Sequence, residues 1–354
     1  MLVRQPSAVA VLVGALFTGA STATAAPLTE SRVDDLGTRP AKVAGYGDVL
    51  AWSTWEAGQR RYRLVVRVGD GPARGVRVAG RRLPFDVDVG PDRNGRPVLV
   101  YSRCRSEPSP VIRQRIYAES TDLPRYDLAS GCDLFAYSPA DGRERRVAGV
   151  SSMAESEYLP SVWRGNIAFA RRSSAAAQPR LYLRRSGTRR SQRLAGEPTQ
   201  RDPSMDGPVT LDLRGTQLAY HWTRLTGDCE NPSAEIGAGR LPFEEQIRLV
   251  RPGRTARRIS PLTCSQEDLV SGTRGVTWLG AEIVYALERN LGSARTGTLT
   301  ARATNGTTRS LGDYALAASA PYLTSGAASV YATLAPPSRR DHRISRLLLT
   351  SPAS

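Results

Sequence analysis

Chemistry at neutral pH draws on a short list of side chains, and this chain is sparing with most of them. It has two histidines, His221 and His342, far apart in sequence. No H-E-x-x-H run offers a zinc-binding helix face, and no G-x-S-x-G run offers a nucleophile elbow. His221 stands in Tyr220-His221-Trp222 at the end of an apolar run, where a packed or rim histidine is expected rather than a general base. Asp86-Val87-Asp88, followed by Asp92-Arg93-Asn94-Gly95, alternates carboxylates ahead of a glycine as a calcium loop does. Gly90-Pro91 interrupts that pattern, however, and no bidentate glutamate closes it. The segment from Pro91 to Gly95 is a sound turn by itself, so a turn is expected and calcium is the minor alternative. Glu155 and Glu157, Asp202 and Asp206, and Glu267 and Asp268 precede short apolar segments. They are expected as solvated loop acids; facing one another, such pairs could hold a cation or a basic peptide. Nowhere do base, acid and nucleophile gather, so no residue is nominated as catalytic, cofactor-binding or metal-ligating, and no cofactor is expected.

The elements that would position any site are written as a repeat. Six times a glycine is followed within a few residues by an aliphatic, a small or aliphatic residue, and an aromatic. The closing aromatics are Trp52, Tyr101, Phe169, Tyr220, Tyr285 and Tyr331, spaced 49, 68, 51, 65 and 46 residues apart. Each phrase reads as a turn and a strand buried on both faces. An aliphatic-x-aliphatic strand and an Arg-rich outer strand follow, and a short innermost segment such as Pro160-Ser161-Val162-Trp163 precedes. Four strands of graded exposure, repeated near every fifty residues, specify an all-β, six-bladed β-propeller with four antiparallel strands per blade. The six aromatics are expected at equivalent positions on the second strands. The sixth unit runs out of residues for its outer strand, and Glu30 to Gly37 is expected to supply it and close the ring. No capped helical period follows residue 25, and Gly and Pro are scattered rather than gathered in a linker, so residues 26–354 are expected to form one domain.

The first 25 residues read as a signal peptide: Arg4, an apolar run from Ala8 to Ala20, and the small-residue signal Ala23-Thr24-Ala25. Without a cysteine or an arginine pair there, the general secretory route is expected, not a lipoprotein or twin-arginine export. No later run is apolar enough to cross a bilayer. The expected product is an exported monomer of the extracellular space or cell envelope. Formal charge is +16, yet of 49 basic residues only Lys42 is a lysine. That arginine bias points to genome composition and argues against a nucleic-acid binder. The arginines are expected to scatter, with Arg-Arg pairs near outer strands discouraging edge-to-edge association.

The two longest units each contain two cysteines. Cys104 and Cys132 bracket an insertion in the second unit, and Cys229 and Cys264 bracket the corresponding region of the fourth. Four cysteines allow three connectivities. Pairing within units is the economical one, with Cα atoms about 4.4–6.8 Å apart. A four-cysteine metal site would want C-x₂₋₄-C spacing, which does not occur.

The stretch Pro160-Ser-Val-Trp-Arg-Gly-Asn-Ile-Ala-Phe-Ala170, with Leu181-Tyr182-Leu183 and Arg193-Leu194-Ala195-Gly196, resembles the WD40-like repeat of TolB-type six-bladed propellers. The likeness covers most of residues 40–354. It implies a binding scaffold with loops at a channel mouth and brings no universal catalytic residues. TolB's N-terminal α/β domain has no counterpart here, so its role in the Tol–Pal system is not carried over. Ser271 to Trp278 resembles the Asp-box of sialidase propellers, but Thr273 occupies the place of the aspartate and the motif occurs once; it is treated as coincidence. The expected function is a non-catalytic scaffold for a protein, a peptide or an envelope or anionic polymer. The alternative is a polysaccharide lyase or glycosidase using acids and arginines at the channel mouth.

Overall fold

A computed structural model describes residues 28–349 apart from 38, 40, 108–125, 127–128, 151–153, 175–176, 199–205, 226–242, 267–268, 292–293, 315–318, 327–328 and 336–341. The expected signal peptide, Asp202, Cys229, Glu267 and Asp268 lie outside the described residues.

Six antiparallel blades follow one another along the chain. The first is β2 (Ala44–Tyr46), β3 (Val49–Glu56), β4 (Arg61–Val68) and β5 (Arg74–Gly75). The second is β6 (Asp88–Pro91), β7 (Pro97–Arg103), β8 (Asp133–Ser138) and β9 (Arg143–Arg146). The third is β10 (Ser156–Trp163), β11 (Asn166–Arg172), β12 (Arg180–Arg184) and β13 (Ser191–Arg193). The fourth is β14 (Gly207–Arg214), β15 (Gln217–Leu225), β16 (Phe243–Val250) and β17 (Arg257–Arg258). An extra strand, β18 (Thr263–Gln266), pairs with both β16 and the innermost strand of the fifth blade, so these two blades share one hydrogen-bonded path. The fifth blade is β19 (Leu269–Leu279), β20 (Glu282–Leu291), β21 (Ala294–Arg302) and β22 (Thr308–Tyr314). The sixth is β23 (Ser319–Ser325), β24 (Ser329–Ala335) and β25 (His342–Leu348), completed on its outer edge by β1 (Thr29–Gly37). The N-terminal strand therefore closes the ring.

The core is divided as the repeat dictates, with one apolar cluster between each pair of neighbouring blades. Along a strand, side chains alternate faces, so each second strand feeds two clusters. Leu99 and Tyr101 pack toward the first blade, for example, while Val98 and Val100 pack toward the third. Trp52, Tyr101, Phe169, Tyr220 and Tyr285 all face the preceding blade. Tyr331 does not. It lies on the expected second strand, but it packs toward the first blade, while Val330, Ala332 and Leu334 face the fifth.

The hydrogen-bond register explains this correction. Thr324 pairs with Tyr331 as Asp212 pairs with Ala219, so Ala332 occupies the place that Tyr220 holds. In the first five phrases the glycine sits in the turn with positive φ: Gly47, Gly95, Gly165, Gly215 and Gly280. Gly326 is absent from that set and instead donates its N–H to the Ser329 carbonyl at 2.8 Å, one step up the ladder. A one-residue slip sends every side chain to the opposite face.

The outer strands are shorter than the Arg-rich runs suggested. Arg74 to Val78 yields only Arg74–Gly75, and Arg254 to Ile259 only Arg257–Arg258. Their arginines are exposed, while Val76, Ala256 and Ile259 turn inward. Short edges with charged side chains are poor templates for pairing with another chain.

Candidate functional site

The two faces of the propeller are built differently. In four of the six blades the connection between first and second strands is a two-residue turn: Tyr46 pairs with Val49, Trp163 with Asn166, Arg214 with Gln217 and Leu279 with Glu282. Antiparallel alternation puts the turns between third and fourth strands on that same face. The opposite face receives the C-terminal ends of the second strands and the N-terminal ends of the third, among them those of β7 and β8 beside Cys104 and Cys132, and the ends of the outer strands from which the chain passes to the next blade. Two-residue turns are held by backbone geometry, whereas long connections are free to carry recognition side chains. The loop face is thus the candidate functional face.

On it lies a cavity of about 380 Å³ between the first two blades. Its lining comes from three separate segments: Arg61 beside the turn joining β3 to β4, Ala79 to Arg82 in the linker, and Arg103 to Glu107 following β7. Five arginines (Arg61, Arg81, Arg82, Arg103 and Arg105) meet a single acid, Glu107. Arg81 forms a fixed floor. Its Nε donates to Glu107 Oε1 at 2.6 Å, and its Nη1 donates to the Ser102 carbonyl at 2.6 Å and lies 3.4 Å from Asp86 Oδ1. Glu107 Oε2 accepts the backbone N–H groups of Arg82 and Leu83, so both carboxylate oxygens are taken by the protein. Arg103 pairs with Glu144 at 2.7 Å. Arg61, Arg82 and Arg105 are exposed, and among the described residues no carboxylate pairs with them. The expected scatter of arginine therefore fails here. Arg61 of the 60–61 pair and both members of the 81–82 pair are brought to one cavity by tertiary packing.

The cavity wall is stapled. Cys104 and Cys132 form a disulfide. They extend the ladder of β7 and β8 by one step beyond Arg103–Asp133, and the ribbon continues to a bridge between Ser106 and Ser130. Their Cα atoms are 3.8 Å apart, closer than the expected separation of about 4.4–6.8 Å. Cys264 is also disulfide-bonded; its expected partner, Cys229, lies outside the described residues.

The acids singled out in the sequence are mostly absorbed by the fold, contrary to their expected solvation. Glu157 is fully buried and, with Glu155, pairs with Arg171 at 3.1 and 3.2 Å. Asp206 is buried as well. Asp86 accepts from the Ser102 N–H and hydroxyl, both at 2.8 Å, and from the Leu159 N–H at 2.7 Å. Asp92 accepts from the N–H groups of Asn94 and Arg96 at 2.7 and 2.9 Å, which is the Asx turn that Asp92 to Gly95 suggested. With Asp86 directed into the blade interface and Asp92 capping the tight-turn face, the two do not converge on a cation. Among the described residues no group of three or more His, Cys, Asp or Glu side chains is placed to hold a metal.

The central channel uses its polar residues to dock blades. Asp88 Oδ2 accepts the Val162 N–H at 2.8 Å and the Ser161 hydroxyl at 3.0 Å. Ser161 Oγ in turn accepts the Leu213 N–H at 2.8 Å, and Asp212 Oδ2 accepts the Trp278 N–H at 2.8 Å. Thr324 Oγ1 accepts the Gly45 N–H at 2.8 Å, across the closure. Four of the six first strands, β6, β10, β14 and β23, thus hand an acceptor to the next, satisfying N–H groups that would otherwise be buried and orphaned. Burial raises the Asp88 carboxyl above its ordinary value, opposed by Lys42 and its hydrogen bonds. Burial, reinforced by the Asp88 charge, pushes Asp212 up to about 7. Lys42, the one lysine of the chain, supplies the positive charge beside both carboxylates.

The histidines are core residues. His221 is buried, neither ring nitrogen has a hydrogen-bond partner, and burial together with the neighbouring Arg274 cation lowers it to about 3. A ring held neutral and shut away from solvent does no acid–base work on a ligand. Arg274 is locked between Glu245 and Glu288 at 3.6 and 3.2 Å, and Tyr314 donates to Glu288 at 3.3 Å, making an ionic cluster between the fourth and fifth blades. His342 is likewise buried. The Asp-box-like stretch forms part of β19, and its Trp278 reaches back to the fourth blade through Asp212.

No protein-family model and no curated protein matches the sequence. Solved propellers do share the fold. TolB from Acinetobacter baumannii is similar at 14% identity and TM-score 0.44, covering 85% of this chain and 64% of its own. The β-propeller domain of the Trilobed protease from Pyrococcus furiosus is similar at 6% identity and TM-score 0.44, covering 88% and 96%. An endo-arabinanase from Bacillus licheniformis is similar at 9% identity and TM-score 0.39, covering 78% and 99%. This chain therefore spans less than two thirds of the TolB structure. The likeness is one of architecture, shared by proteins of different activities.

Proposed function

We propose that this chain is an exported, non-catalytic propeller scaffold that binds a protein, peptide or envelope polymer through its loop face. The observation that carries the proposal is the placement of a disulfide staple and an arginine-lined cavity together on one face, while four of the blades present two-residue turns on the other. The signal-like first 25 residues and the disulfide chemistry support an oxidising destination. Asp88 and Asp212, whose oxygens hold neighbouring blades together, are committed to structure, which weighs against the polysaccharide-cleaving alternative.

The test is co-sedimentation with an isolated cell-envelope fraction, using charge reversals on each face. Arg61→Glu with Arg82→Glu alters the loop face, and Arg93→Glu with Arg251→Glu alters the tight-turn face. Loss of binding for the first pair alone is the expected result. Equal behaviour of both pairs, or release of soluble sugar from the fraction by the wild type, would overturn the proposal.

A further inference from the structure

We infer that the cavity between the first two blades is a preformed site for a tetrahedral oxyanion, a phosphoryl or sulfuryl group, carried by the ligand of the loop face. This rests on the scaffold proposal for its biological setting but is separately measurable. The cavity is lined by five guanidinium groups and one carboxylate. Both oxygens of that carboxylate are occupied by Arg81 and by the Arg82 and Leu83 N–H groups. Arg81 and Arg103 are charge-matched by Asp86, Glu107 and Glu144. Among the described residues, Arg61, Arg82 and Arg105 have no carboxylate partner.

The number and origin of these three decide the class of anion. A carboxylate offers two oxygens in one plane and is satisfied by a single forked guanidinium. Three arginines on three chain segments suit a group with three or more oxygens pointing in different directions. The backbone of the site is held in place: Arg81 is buried and fixed at the floor, and the Cys104–Cys132 bridge ties down the segment carrying Arg105. The volume, about 380 Å³, suits a small charged group rather than a long polymer segment.

Titration calorimetry with inorganic phosphate, inorganic sulfate and glycerol phosphate tests the site, with sodium acetate at matched ionic strength as the control. Saturable one-site binding of the tetrahedral anions is expected, at least tenfold tighter than acetate. Arg61→Gln with Arg82→Gln should weaken it at least tenfold, whereas Arg93→Gln on the tight-turn face should change it less than twofold. Thermal melting of each variant separates lost binding from lost fold. Tighter binding of glycerol phosphate than of inorganic phosphate would assign the group to an organic phosphate ester, and the reverse order to the free anion. Non-saturable heats, acetate binding as tightly, or equal affinity in the double variant would overturn the inference. Envelope binding that persists without phosphate binding would leave the scaffold proposal standing and sink this one alone.

Discussion

The indole N–H of Trp52 donates to Asp34 Oδ2 at 2.6 Å, joining the first blade to the N-terminal strand that completes the last. Trp52 is buried among Val43, Leu50, Val65 and Ile344, with Val33 and Leu36 of β1 packed on the same cluster. This contact and the Thr324–Gly45 bond seal a ring that covalent connectivity leaves open. Asp34→Ala leaves the indole N–H buried without its charged acceptor, which costs about 1.5–3 kcal/mol. Urea denaturation is expected to show that loss at an unchanged m-value.

Close approach between the second and third blades depends on Gly90. A Cβ there would meet the Val162 carbonyl oxygen at 2.0 Å, against backbone that cannot swing aside. Gly90→Ala is expected to destabilise by about 1–3 kcal/mol, as overpacking does. Gly58, with open space around an added Cβ, is the matched control and should tolerate alanine in the same melting experiment.

Two buried groups give stability opposite pH slopes. His221 titrates near 3 in the fold against an ordinary 6.5, so the unfolded chain binds the extra proton between those values. Its contribution is full above pH 6.5 and is lost as pH falls toward 3. Asp212 titrates near 7 against an ordinary 3.8, so the folded chain binds the extra proton, and its contribution is lost as pH rises through that interval. The two partly cancel between pH 4 and 6.5. Asp212→Asn, which keeps an acceptor for the Trp278 N–H, should make stability climb more steeply with pH over that range. His221→Phe should make it fall. Melting temperature against pH for the three proteins checks both signs, and parallel curves would contradict them.

The disulfide beside the arginine cavity should matter to stability and to binding alike. Replacing Cys104 and Cys132 together by alanine opens a loop of sequence separation 28, with an expected cost of about 3–4 kcal/mol on the chain-entropy account. Below its melting temperature the variant should also bind phosphate more weakly, because the strand carrying Arg105 loses its anchor.

Much of the architecture was legible in the sequence because its cause is local. A strand buried on both faces needs a continuous apolar run, and a two-residue turn needs a glycine that accepts positive φ. Gly215 to Tyr220 displays both wherever the chain places it. Counting such phrases therefore yields six blades. Register is another matter. Gly326 to Tyr331 has the same composition as its five counterparts, yet cross-strand hydrogen bonds move Tyr331 to the opposite face.

Burial and charge pairing escaped the sequence for a related reason. Glu157 and Asp206 read as loop acids because neither the Arg171 beside Glu157 nor the blade packed over Asp206 is adjacent in sequence. The candidate site lies furthest from what a linear reading can reach. Arg61, Arg82 and Arg105 belong to a turn, a linker and an insertion, and in an arginine-rich chain no local pattern marks them out. The sequence by itself determined the repeat and made pairing of Cys104 with Cys132 the economical expectation, both consequences of short-range pattern. Only the tertiary structure decided which face bears the disulfide and the arginine cavity and which three guanidinium groups are, among the described residues, left without a carboxylate, because those follow from strand direction and from contacts between segments far apart in the chain.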